Sequence, residues 1–238
     1  MAIELHGLFI EDDELQRAAA LPFAKELCRL TLSVREIQNT RFDRTIALRM
    51  RTARSAIEEL ARRIGVPHTF RNTQGSTVGL LRDTVQSADI TFFEPLRKMA
   101  VPAARQYAPG HRFPRRIVVV IADLQTGKET LFTAARLAKN QVHNILILLR
   151  NSNTAKLHAL EQMANELLPT HRPRLLLLPE PGVQHLISTV LAERADMLVI
   201  GAQEELLKPQ SLGLLLQQLE CPICLVRQSD RDVNEPVS

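Results

Sequence analysis

The sequence predicts an α/β protein: a doubly wound, parallel five-stranded sheet preceded by an incomplete copy of the same unit. Three observations carry this. Ile117-Val118-Val119-Val120-Ile121 is an unbroken β-branched run that stops at Ala122-Asp123, the pattern of a strand buried on both faces of a parallel sheet. Apolar runs of this kind alternate with helical spacing through the whole C-terminal half, as in repeated strand-helix-strand units. The two halves also share a pattern. Gly75 opens a helix and Ala88-Asp89 leads a strand, and Gly182 and Ala195-Asp196 repeat this, both pairs displaced by 107 residues.

In chain order, Leu5–Ile10 is the first expected strand, followed by the acids Glu11, Asp12, Asp13 and Glu14. Acids at a strand-to-helix junction stabilise the positive end of the helix. The other use of clustered carboxylates, a cation site, would need a ligand spacing that is missing here. Leu15–Leu32 has helical spacing, broken at Pro22. Val34–Ile64 is expected to be one long helix with an apolar stripe of Ile37, Ile46, Leu48, Ala53, Ile57, Leu60 and Ile64. Arg35, Arg41, Arg44, Arg49, Arg51, Arg54, Arg62 and Arg63 decorate it, and Gly65 stops it. A strand over Val66–Phe70, a helix over Gly75–Ser87 and a strand over Asp89–Phe93 complete the first unit, residues 1–98. Prolines and arginines then mark 99–114 as a linker.

The second unit, 115–228, is expected as strand 117–122, helix 127–140 with Thr126 as N-cap, strand 144–149, helix 153–168, strand 174–178, helix 183–194, strand 196–200, helix 211–219 and strand 222–226. Residues 229–238 are polar and expected to be disordered. The first unit lacks the opening strand of the second. Strand 5–10 is therefore expected to pair directly with 89–93, in a three-stranded sheet packed on the C-terminal unit, so that no backbone group is orphaned.

Composition narrows the class. Hydrophobic residues make up 45% and aromatics only 4%, with no Trp, so the core must be built from Leu, Ile, Val and Ala. No apolar run approaches the ~18 residues of a membrane span, and Met1-Ala2-Ile3-Glu4 does not open a secretory signal. Three scattered cysteines, Cys28, Cys221 and Cys224, make no disulfide framework and favour a reducing, cytoplasmic setting. The net charge of +4 is uneven: residues 1–116 carry 19 Lys+Arg against 13 Asp+Glu, and the remainder 11 against 13. The basic excess suits either an anionic partner, including nucleic acid, or a solvated helix face.

Four pieces of the C-terminal half, Ile117–Asp123, Ala134–Ala138, Ala195–Gly201 and Cys221–Val226, resemble the universal stress protein family in order and spacing. The resemblance spans residues 115–228 and extends partially over 3–95. It implies the strand order 3-2-1-4-5, a tandem or sheet-paired dimeric module in the cytoplasm, and an ATP site beside the first and fourth strands. Members that bind ATP use an aspartate after the first strand, matched by Asp123, and a pattern of Gly, two residues, Gly, nine residues, Gly, then Ser or Thr. Gly201 matches the first glycine. Glu204 stands where the second would be, Gly213 falls one residue short of the third, and Leu214 follows it in place of a hydroxyl. The N-terminal copy has no glycine after Phe93.

Other motifs are weaker. Cys221-Pro222-Ile223-Cys224 has redox spacing, but it enters a strand, whereas a reactive thiolate is stabilised at a helix start; the pair reads as core. The seven histidines show no metal-binding spacing, and Ser188 and Ser211 lie in no nucleophile motif. The sequence therefore predicts a non-enzymatic binding or regulatory module with a degenerate nucleotide site, bordered by Asp123, Gly201 and Gly213. No cofactor is expected. Its partners are a second copy or another protein, with no membrane. Two alternatives stand beside it: an ATP-binding protein with weak ATPase activity, and anion or nucleic-acid binding through the Arg-rich helix 35–63.

Overall fold

The computed structural model describes residues 3–27, 32–36, 39–93, 114, 116–121, 124–138, 144–149, 154–168, 173–178, 182–202 and 205–227. The expected tail lies outside them, as does all of the linker except Pro114. Contacts divide the chain into two units, Met1–Leu81 and Arg82–Ser238.

In the first unit, β1 (Leu5–Asp12) pairs in parallel with β4 (His68–Gly75), in register from Leu5↔His68 to Asp12↔Gly75. Between them come α1 (Asp13–Ala19), a short hairpin of β2 (Lys25–Leu27) and β3 (Val34–Glu36), and α2 (Asn39–Ile64). The helix expected over Leu15–Leu32 therefore ends at Ala19, before Pro22 can disrupt it, and the chain turns into the hairpin. The long helix starts at Asn39, not Val34, because Val34–Glu36 is spent in that hairpin. α2 lies on the sheet through Ile57: a Cβ on Gly7 would overlap the Ile57 side chain and stand 2.7 Å from Phe70 Cδ2. Ala61 is buried, while Leu48, Leu60 and Ile64 of the expected stripe are about half exposed. Gly65 ends the helix in the left-handed region at φ 69°, and the Val66 N–H returns to the Ala61 carbonyl at 3.1 Å, the bond that closes a glycine-terminated helix.

Asp12, the last residue of β1, caps α1. Asp12 Oδ1 accepts the Glu14 N–H at 2.8 Å, and its Oδ2 accepts the Thr77 hydroxyl at 2.6 Å, at the first residue of α3 (Thr77–Ser87). Glu11 accepts from Asn72 at 2.6 Å and from Gln16 at 3.1 Å.

In the second unit, β6 (Arg116–Ile121), β7 (Asn144–Leu149), β8 (Arg174–Leu177), β9 (Met197–Gly201) and β10 (Ile223–Val226) form a parallel sheet in the order β8-β7-β6-β9-β10. Counted within the unit this is 3-2-1-4-5. The helices are α4 (Leu124–Ala138), α5 (Thr154–Leu167), α6 (Val183–Ala192) and α7 (Pro209–Gln218). The sheet is covered on both faces. Ile117, Val119, Ile121, Ile147, Val199 and Cys224 pack with Leu131, Ala134 and Ala138 of α4 and Leu160 and Ala164 of α5. Val118, Val120, Leu198, Ile200, Ile223 and Leu225 pack with Val85, with Leu186, Ile187 and Val190 of α6, and with Leu215 of α7. α4 begins two residues before Thr126, which lies inside its first turn and is not the N-cap.

A sixth strand, β5 (Ile90–Phe93), joins this sheet antiparallel to β10, with Phe93 opposite Ile223 and Ile90 opposite Val226. The pairing of strand 5–10 with 89–93 does not form. β1 takes β4 as its partner, reached by the crossover through α2, and β5 satisfies its backbone on the outer edge of β10. At the other ends of the strands, Arg116 and Asp196 exchange bonds. The Arg116 N–H donates to Asp196 Oδ2 at 3.0 Å, the Asp196 N–H donates to the Arg116 carbonyl at 3.0 Å, and Glu193 bonds Arg174.

Candidate functional site

The chain leaves β6 toward β7 on one side, while β9 lies on the other and is followed by β10. The connections diverge above the C-terminal ends of β6 and β9, where open α/β sheets take ligands. Asp123, expected on this rim, lies outside the described residues, as does Glu204.

Gly201, the last residue of β9, is buried. A Cβ there would stand 3.1 Å from Thr130 Oγ1 and 3.4 Å from Thr126 Cβ and Oγ1. The missing side chain thus lets α4 settle against the end of β9, and the Thr130 hydroxyl turns inward to donate to the Thr126 carbonyl at 2.6 Å. Gly127 does the same toward β6: a Cβ there would meet Ile121 Cγ2 at 2.9 Å. Sequence reasoning took Thr126 only as an N-cap and did not single out Thr130. Their signal was present as an i, i+4 pair on the helix that follows the first strand.

Beyond Ala202, whose N–H donates to the Val226 carbonyl at 2.7 Å, Glu205–Leu207 form a turn, and Leu206, 2% exposed, inserts into the core. α7 then begins at Pro209. Gly213 is its fifth residue, between the buried Leu212 and Leu215. At that depth in a helix the N–H is directed to the carbonyl four residues back.

Both Cys221 and Cys224 are buried. Burial pushes the Cys224 thiol up from 9.0 to about 12, which opposes thiolate chemistry and agrees with the core reading. Among the described residues no group of three His, Cys, Asp or Glu side chains could hold a metal ion, and no helix is long and apolar enough to cross a membrane. A shallow open hollow on α5, lined by His158, Glu161, Gln162, Asn165 and Glu166, lies on a solvent-facing surface of that helix.

On α2, Arg54 lies over the Phe70 ring at 5.0 Å, Arg62 and Arg63 both pair with Glu59, and Arg51 Nε donates to the Ala47 carbonyl at 3.3 Å. The side chains of Arg35 and Arg41 lie outside what is described.

No family model matches the chain, and no curated protein matches it. Solved structures do. One is a universal stress protein in complex with cAMP, 14% identical, covering 49% of this chain and 99% of that one, with a TM-score of 0.39. A second, a universal stress protein from Archaeoglobus fulgidus, is 12% identical and covers 48% of this chain and 98% of its own, with a TM-score of 0.35. A third, a universal stress protein from Archaeoglobus fulgidus DSM 4304, is 11% identical and covers 95% of this chain and 86% of its own, with a TM-score of 0.41.

Proposed function

We propose that the chain is a non-enzymatic, universal-stress-protein-like binding module in which the crevice at the ends of β6 and β9 is a degenerate nucleotide site. The observation that carries this reading is the segment after β9. A phosphate cradle needs successive free N–H groups in a loop that can approach the ligand closely. Here Leu206 is drawn into the core, Pro209 has no N–H, and Gly213 is inside α7. Sequence adds that no glycine stands between Gly201 and Gly213, and that Glu204 brings a negative charge to this loop. The partner is then a protein, a second copy of the chain included.

Isothermal titration tests the reading. With ATP at millimolar concentration the expected result is no measurable heat of binding. A low-micromolar dissociation constant, abolished by Asp123→Ala, overturns it in favour of an ATP-binding protein. The nucleic-acid alternative is not favoured, because several α2 arginines already have partners within their own unit. Steeply salt-dependent RNA or DNA binding that is lost on replacing Arg44, Arg51 and Arg54 with Gln would restore it.

A further inference from the structure

α4 and α5 run side by side over one face of the six-stranded sheet. Both connect neighbouring parallel strands, so they point the same way. Leu131, Ala134 and Ala138 of the first share a core with Leu160 and Ala164 of the second. A Cβ on Gly127 would stand 3.4 Å from Leu160 Cδ2, which shows how closely the two helices approach.

Their outer faces are complementary. Among the described side chains of α4, the exposed ones are Lys128, Phe132 and Arg136, one per turn. Phe132 is 52% exposed, and the Arg136 guanidinium lies over its ring at 5.7 Å. Aromatic and arginine side chains are the ones enriched at protein interfaces, and stacking on the ring orders the guanidinium before any partner arrives. On α5, His158, Glu161, Gln162, Asn165 and Glu166 line the shallow hollow, with two carboxylates and no Lys or Arg among them.

The two features also match in height. Phe132 and Gln162 are each the ninth residue of their helix, and Arg136 and Glu166 each the thirteenth. A two-fold axis parallel to the helices, above the seam between them, turns a second copy face to face with the first. It lays α4 of each copy on α5 of the other and leaves heights unchanged. Phe132 then enters the hollow of the second copy beside its His158 ring, and Arg136 meets its Glu166.

We propose that the α4–α5 face is a self-complementary contact with a second copy of the chain, made twice about this axis. It rests on the reading of the chain as a protein-binding module, and it uses neither edge of the sheet. A contact of a few side chains from each copy belongs to the small, transient class of interface.

Charge reversal in the full-length chain, without nucleotide, is the test. Sedimentation velocity over a concentration series compares the unaltered chain, Arg136→Glu, Glu166→Arg, and an equimolar mixture of these two variants. Each variant alone brings like charges together at both contacts and is expected to raise the dimer dissociation constant about tenfold or more. In the mixture a heterodimer has opposite charges at both contacts, so association is expected to return to within about threefold of the unaltered chain. Phe132→Ser is expected to weaken association with no change of charge. A chain that stays monomeric over the whole series overturns the proposal. So do variants that associate as the unaltered chain does, or a mixture no tighter than its components. Titration with ATP judges the degenerate nucleotide site separately, so either reading can fail alone.

Discussion

Arg227 and Asp89, 138 residues apart, meet twice: through the backbone at 2.9 Å and through the guanidinium and carboxylate at 3.4 Å. The second contact is half exposed and should be worth little, because solvent screens it. The bond from the guanidinium to the Gln86 carbonyl adds a cation at the end of α3, where the helix dipole favours one. Arg227→Ala is therefore expected to lower unfolding stability by ~1–2 kcal/mol. Asp89→Asn, which keeps the backbone bond, should cost ~0–1 kcal/mol. Urea denaturation of the two variants checks the order. An equal loss in both would show that the carboxylate, not the helix end, is what Arg227 serves.

Thr91→Val offers a stabilising change. Valine keeps the shape and removes a buried hydroxyl that has no partner. The expected gain is about 1 kcal/mol, seen as a higher urea midpoint at unchanged slope. A loss of stability would mean that the hydroxyl has a partner, such as an ordered water.

Gly201 tests the seating of α4. The position needs no unusual φ, so a side chain there is opposed by Thr130 and Thr126 alone. Gly201→Val is expected to destabilise by ~1–3 kcal/mol, the usual range for overpacking. Thr130→Ala in the same chain should recover part of that loss, because the two residues are in contact and their effects should not add. Additive losses would place the strain elsewhere.

The Cys224 thiol gives a pH prediction. Its pKa is raised in the folded protein, from 9.0 to about 12, by burial. Below pH 9 both states hold the proton and stability is unaffected. Between pH 9 and about 12 the unfolded chain releases it while the folded one retains it, so stability falls as pH rises. The slope from this one group is at most ~1.4 kcal/mol per pH unit. Cys224→Val should flatten that part of the alkaline profile. In native protein Cys221 and Cys224 should resist thiol reagents at pH 8 and react once urea unfolds the chain.

Among the parallel strands, burial on both faces made the inner ones readable as unbroken apolar runs such as Ile117–Ile121 and Ile145–Leu149, while β8 at the edge is mostly exposed. Helix ends with strong signals, such as Gly65, were readable too. The β2–β3 hairpin was not: Lys25–Leu27 and Val34–Glu36 are short, two-thirds charged and lack a run of alternation, and the helical spacing around them pointed the other way. β5 was recognised as a strand but given the wrong neighbour, since pairing is decided by an edge 130 residues later and not by local pattern. At the site, Gly201 was readable as the end of a strand. Its contacts with Thr126 and Thr130 depend on how α4 crosses β9, which no spacing records.

The pairing of β5 with β10 also sets an order of events during synthesis. β5 is complete at Phe93, but its partner begins only at Ile223. At ~5–20 residues per second, translation leaves a gap on the order of 10 s between them. During that time Ile90, Phe92 and Phe93 emerge with no edge to join, and contacts of such long sequence separation form late. The nascent chain thus carries an unsatisfied apolar strand through most of its production, a stretch on which a chaperone could act before the sheet closes.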